Sequence, residues 1–211
     1  TVVSSSLQNL DALGLDTDQE LYLARAREGM TRLHSLVSRL SEAARLEQSI
    51  SNIEFEKIDL VELLNGCVDG YRSIFPASQI ELNCPTRACL ISASGDLIAQ
   101  LMDKLVENAV AFSLVDSPIR VTLEEFSECV EISVVNRGTP LPQAMQTQIF
   151  NSMVSLRQER TDGEPHLGLG LFISRLIVEV HRGSIAAENL QNGSGVEFKI
   201  KLPFTHNSLP A

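Results

Sequence analysis

The chain predicts an α+β protein. A helical hairpin over residues 1–50, completing a four-helix bundle on dimerisation, is followed by an α/β two-layer sandwich over residues 53–204 and a tail at 205–211. Two observations carry this. Leu23, Ala26, Met30, Leu33, Val37, Leu40 and Ala44 recur at spacings of three and four, which is a heptad seam. From residue 53 onward, helical patterns alternate with short β-branched runs, the pattern of helices layered on a sheet.

Taken in order, Val3, Leu7 and Leu10 keep helical spacing until Gly14 breaks it. Thr17-Asp18-Gln19-Glu20 has the form of a capping box, and a long helix is expected from Asp18 to Gln48. Leu36 and Ala43 widen its apolar face beyond what two antiparallel helices enclose, which points to self-association. The alternative is a helix packed on the rest of its own chain. His34 lies off the seam and reads as a flank histidine.

A short strand is expected at Ile53–Glu56, and Asp59 is a good N-cap for a helix from Leu60 to Phe75, stopped by Pro76. Val61, Leu64, Val68 and Tyr71 face its inner side. Ile80–Cys84 and Ala88–Ile91 are short strand-like runs, and Asp96 opens the next helix. Ile119–Glu125 and Val130–Val135 read as a hairpin through Phe126-Ser127-Glu128. Pro142–Phe150 reads as a short helix, Asn151–His166 as a mobile loop, and Leu167–His181 as a helix. Gly183–Glu188 and Val196–Leu202 are closing strands.

The net charge of −10 argues against wrapping a nucleic-acid backbone, which needs a basic footprint. It leaves room for a local nucleotide pocket. No apolar run reaches bilayer length, so no membrane contact is expected of this piece. Cys67, Cys84, Cys89 and Cys129 show no metal-binding spacing and sit among apolar neighbours, which suits reduced thiols in a cytoplasmic setting.

The stretch Gln100–Ser113 holds the chemistry. Leu101, Leu105, Ala109 and Phe112 share one helix face, while Lys104, Glu107, Asn108 and Ala111 share another. A cation, a carboxylate and an amide within one turn form either a solvated edge or a binding edge. Three glycine-bearing turns follow. Asn136-Arg137-Gly138-Thr139-Pro140-Leu141-Pro142 leaves a strand, His166-Leu167-Gly168-Leu169-Gly170-Leu171 opens a helix, and Gly193-Ser194-Gly195 precedes the last strand.

This ordered set resembles the ATP-binding domain of sensor histidine kinases, in the GHKL ATPase superfamily, over residues 53–204. The hairpin upstream resembles their dimerisation and histidine-phosphotransfer domain. Asn151-Ser152-Met153-Val154-Ser155 and the turn from Glu164 resemble a proteobacterial branch. The resemblance implies ATP and Mg²⁺ as ligands, with Asn108 on the metal and Glu107 as the catalytic base or the residue orienting the attacking imidazole. It implies Asn136 at the adenine amino group, beside Gly138. Phe150 and the segment to His166 would form a lid whose Arg157 and Arg160 reach the phosphates. Leu167, Gly168, Leu169, Gly170, Leu171 and Gly195 would line the nucleotide, the helix start offering free N–H groups to phosphate. It also implies a homodimer through residues 1–50, a response-regulator receiver domain as partner, and a parent protein anchored in a bacterial inner membrane.

The sequence departs from the family pattern at several positions. Asn136 stands where the family has Asp, Pro140 and His166 replace glycines, and Ala111 replaces a frequent lysine. Lys104 stands where another Asn is common and is expected to restore charge beside the phosphates. None of His34, His166, His181 and His206 has the H-E-x-x-x-P setting of the phosphoacceptor, so a fragment truncated before Thr1 and unable to autophosphorylate is expected. Two alternatives stay open: a nucleotide-binding and dimerisation module whose kinase activity has lapsed, and another GHKL ATPase.

Overall fold

The structure is a computed structural model that describes residues 53–146, 148–151 and 170–204, with scattered helical positions between 19 and 41. Strand β1 (Glu56–Asp59) leads into α1 (Leu60–Ile74), then β2 (Ile80–Asn83), β3 (Leu90–Ala93) and α2 (Gly95–Phe112). The hairpin of β4 (Ile119–Glu125) and β5 (Cys129–Arg137) comes next. A 3-10 turn (Gln143–Met145) follows, then α3 (Gly170–Val180), β6 (Ser184–Asn189) and β7 (Gly195–Pro203).

Five strands form one sheet in the order β2-β4-β5-β7-β6, and β1 and β3 form a separate antiparallel pair. β2 runs parallel to β4, and every other neighbouring pair is antiparallel. Strand alternation puts Ile119, Val121 and Leu123 of β4 on the buried side, with Val130, Ile132, Val134 and Asn136 of β5. Val196, Phe198, Ile200 and Leu202 of β7 complete that side. The helices cover it with Leu60, Leu64 and Val68 from α1, Leu101, Leu105 and Ala109 from α2, and Ile173 and Ile177 from α3, all fully buried. The opposite side is a lattice of ion pairs. Lys199 lies between Glu188 (2.9 Å) and Glu197 (3.3 Å), Lys201 reaches Glu131, and Arg120 reaches Glu81. One apolar side and one charged side make the predicted two-layer sandwich.

Local chemistry explains the element boundaries. Asp59 accepts from the Val61 amide at 3.0 Å, capping α1, and from the Cys89 amide at 3.0 Å, joining β1 to β3. That second bond moves both short strands. β1 begins at Glu56 rather than Ile53, and β3 runs to Ala93, with Asp59 opposite Leu90. The segment after Pro142 is not the expected helix. Its amides make i-to-i+3 bonds, Met145 to Pro142 and Gln148 to Met145, and Ile149 and Phe150 turn into the core. The six residues between Pro142 and the core anchor Ile149 are too few to nucleate an α-helix.

At the N-terminal end, Gln19, Leu23–Ala26, Gly29, Met30, Leu33, Val37 and Ser41 are helical, as the heptad pattern predicts. Leu23 is buried, while Leu33 and Val37 are 57% and 65% exposed. The first helix of the hairpin, the loop with Arg157, Arg160 and His166, the residues Leu167, Gly168 and Leu169, and the tail from 205 lie outside the described residues. Among the described residues, no helix is long and apolar enough to cross a membrane. The four cysteines are free thiols.

Candidate nucleotide site

The site grows from where α2 meets the exit of β5. α2 ends against that strand through close backbone contact. A Cβ built on Gly138 would lie 2.1 Å from the Phe112 carbonyl oxygen, a gap that admits only glycine. Ser113 bridges Gly138, and the Leu114 amide donates to the Arg137 carbonyl at 2.8 Å. The other side of β5 is equally tight. A Cβ on Gly195 would lie 2.1 Å from the Asn136 carbonyl oxygen, and the Gly138 amide donates to Ser194 at 3.0 Å. The glycines of two turns therefore press the helix end and the last strand onto one short segment, Asn136–Gly138.

Asn136 is the residue so placed. It is 3% exposed and continues the inward row of Val130, Ile132 and Val134. Its side-chain amide makes no hydrogen bond to any described residue. Its Nδ2 lies 3.3 Å from where a Gly138 Cβ would sit, so a side chain at 138 would crowd it.

At the other end of the site, α3 is described from Gly170. Among the described residues the nearest side-chain atom to a Cβ built there is Lys104 Cδ at 4.0 Å, so the stem of Lys104 lies beside Gly170. Lys104 and Phe112 are eight residues apart on α2, a rise of about 12 Å. Half-buried Asn108 stands midway between them, and exposed Glu107 beside it. The α2 edge thus runs from a cation beside Gly170, past an amide and a carboxylate, to the amide of Asn136. Among the described residues no three His, Cys, Asp or Glu side chains gather into a metal-holding group. A single amide oxygen such as that of Asn108 suits Mg²⁺ that arrives on phosphates and keeps its waters.

Other predicted residues have structural places. Leu171 is a core residue of α3, and Phe150 packs edge-on against Phe198 with centroids 6.2 Å apart. Ala111 is half-buried on the α2 edge.

Four contacts support the site that no motif announced. Asn189, at the end of β6, accepts from the Leu141 amide at 2.7 Å and donates to the Leu141 carbonyl at 2.8 Å. It thereby replaces a strand partner for the Gly138–Pro142 segment. Asn189 pairs with Val196, and Val196 with Asn136, so the three stand on one rung of the sheet. His181 joins α2 to α3. The Ser94 amide donates to its Nε2 at 3.1 Å, so Nδ1 carries the proton and donates to the Ile177 carbonyl at 2.7 Å. Burial holds its pKa below the ordinary value, and Phe55 packs edge-on against the ring. Finally, Arg175 of α3 donates to Asn151 at 3.1 Å, anchoring the residue just after Phe150. Tyr71 and Asp103 tie α1 to α2 at 2.7 Å, and burial followed by this bond raises the Tyr71 pKa far beyond its usual range.

Asn136 at one end of the α2 edge and Lys104 beside Gly170 at the other give the sandwich a polar edge suited to a nucleotide. The chain belongs to the histidine kinase-, DNA gyrase B-, and HSP90-like ATPase family, whose model matches residues 93–206, and within it to the sensor histidine kinase type. Sensor histidine kinase TrcS of Mycobacterium tuberculosis is 29% identical over 210 residues, covering 97% of this chain and 40% of TrcS. The catalytic domain of histidine kinase ThkA is 28% identical, with a TM-score of 0.62, over 72% of this chain and 97% of that one. Full-length ShkA shares the fold, with a TM-score of 0.70 at 24% identity, over 99% of this chain and 44% of ShkA. The chain spans 19% of the length of the sensor protein KdpD of Escherichia coli and 40% of that of TrcS, so it matches only part of these relatives.

Proposed function

We propose that this chain is the catalytic core of a sensor histidine kinase, residues 1–50 being the dimerisation and phosphotransfer hairpin and residues 53–204 the Mg-ATP-binding domain. It transfers the γ-phosphoryl group of ATP to a histidine, for relay to an aspartate of a response regulator. The observation that carries this reading is the buried amide of Asn136, with no partner among the described residues, at one end of an edge whose other end is Lys104 against the start of α3. Full-length ShkA was crystallised in complex with AMPPNP, and ThkA in complex with the response regulator TrrA, which supports both ligand and partner here.

The roles follow from position. Asn136 meets the base, with Gly138 leaving room for it. Gly170, with Gly168 and the leucines Leu167, Leu169 and Leu171 around it, sets the phosphates against helix N–H groups. Lys104, Arg157 and Arg160 neutralise phosphate charge. Asn108 holds Mg²⁺, which supplies charge neutralisation across the phosphates when bound. Phe150 roots the lid in the core, and Gly195 keeps the base wall tight. An imidazole nitrogen of the acceptor attacks the γ-phosphorus, the N–P bond forms, and the bond to the ADP oxygen breaks. Glu107 accepts the other imidazole N–H and aligns the ring. The exposed seam residues Leu33 and Val37 support a homodimer through the hairpin. We place the parent protein at a bacterial inner membrane with this core on the cytoplasmic side.

The test is incubation of the chain with γ-labelled Mg-ATP and a separately supplied helical segment bearing the acceptor histidine. Acid-labile, base-stable phosphohistidine on that segment, abolished by Glu107→Gln, is expected. ATP binding without transfer would mean a lapsed module, and steady hydrolysis without an acceptor would mean another ATPase of the family.

A further inference from the structure

We infer that the nucleotide pocket accepts guanine as well as adenine nucleotides, because the residue that meets the purine 6-position is an amide that nothing in the fold orients. This rests on the ATP-site reading above. Adenine carries an amino group at that position, a donor, and guanine carries a carbonyl, an acceptor. A carboxylate only accepts, so it selects adenine. An asparagine amide holds both an acceptor oxygen and a donor NH₂, and a rotation of half a turn about χ2 exchanges them.

The choice therefore depends on whether the protein pins one orientation. Asn136 is 3% exposed, yet its amide has no hydrogen-bond partner among the described residues. Val196, its rung neighbour on β7, and Val134, two residues before it in the inward row of β5, are apolar and offer no preference between the two orientations. Two neighbouring backbone groups already carry bonds of their own: the Gly138 amide donates to Ser194, and the Arg137 carbonyl accepts from Leu114. The amide turns to suit the base that enters. The Asn189 clasp on Leu141 holds the adjoining segment still, so the freedom is confined to this one side chain.

The test is competitive binding of Mg-ATP and Mg-GTP to the whole chain, to Asn136→Asp and to Asn136→Ala. For the wild type the two dissociation constants should agree within about tenfold, a difference of about 1.4 kcal/mol. In Asn136→Asp the GTP constant should rise at least about tenfold more than the ATP constant, because the carboxylate faces a carbonyl oxygen. Asn136→Ala should weaken both alike, which also serves if the aspartate variant does not fold. A wild type that rejects GTP more than about a hundredfold, or an alanine variant that loses ATP alone, would overturn the inference. If neither nucleotide binds the wild type, the ATP-site reading itself fails.

Discussion

Replacing Gly138 with alanine should cost the domain about 2–4 kcal/mol, since overpacking a tight contact costs about 1–3 and each backbone bond it opens about 1. The new Cβ would stand 2.1 Å from the Phe112 carbonyl oxygen, where ordinary contact begins at 3.4 Å, so helix and strand must part by about 1.3 Å. That parting opens the Ser113–Gly138 bridge and stretches the bond from the Leu114 amide to Arg137. Gly170→Ala is the internal control. Among the described residues the nearest atom there is Lys104 Cδ at 4.0 Å, so the added methyl meets none of them closely and stability should hold within about 0.5 kcal/mol. Urea unfolding with a common slope measures both. In nucleotide titrations the order reverses in meaning: Gly170→Ala should weaken Mg-ATP by about tenfold while leaving the fold intact, because its methyl occupies the phosphate approach. A Gly138→Ala protein as stable as the wild type would refute the close-approach argument. So would a Gly170→Ala protein that loses stability but not affinity.

Asn189→Asp should weaken nucleotide binding near pH 8, where a carboxylate faces the Leu141 carbonyl, and should recover relative to the wild type as pH falls to about 4. A protonated acid again donates to the carbonyl and accepts from the amide, so the ratio of variant to wild-type affinity across pH is the readout. His181 is held neutral by burial, so the unfolded chain takes up its proton first as pH falls. Its stability contribution is therefore present above pH 6.5 and declines below it, by at most about 1.4 kcal/mol per pH unit until the depressed folded value is passed. Urea midpoints at pH 7.5 and 5.5 should show a steeper fall for the wild type than for His181→Leu. Lys104→Ala should weaken Mg-ATP by about tenfold, as isothermal titration would show.

Much of the fold is legible in local pattern. The alternation of Ile119–Glu125 defines β4 with its boundaries intact, because one side faces helices and the other water. Asp59 announces α1 because a capping carboxylate acts within two residues. The apolar row of Leu101, Leu105 and Ala109 defines the buried side of α2 for the same reason of period, and leaves Lys104, Asn108 and Ala111 on its edge.

What escapes local pattern is what depends on distant parts of the chain. Asn189 and Leu141 are 48 residues apart, and nothing near Asn189 marks it. His181 reaches Ser94 across 87 residues, so its neighbours in sequence show only one more histidine lacking an acceptor motif. Gly138 and Gly195 have the spacing of turn glycines, but their constraint comes from the Phe112 and Asn136 carbonyls, each supplied by another element. The segment from Pro142 to Phe150 carries helical spacing, yet the core takes Ile149 and Phe150 and leaves room only for a 3-10 turn.

Most direct of all is calorimetric titration of Mg-ATP onto the chain and onto Asn108→Ala, each repeated after chelation of the metal. We expect one nucleotide per chain with Mg²⁺ present. The alanine variant should bind about tenfold more weakly with the metal, equal the wild type without it, and melt at the same temperature. Absence of binding to the wild type, or an Asn108→Ala variant as tight as the wild type in Mg²⁺, would contradict the account.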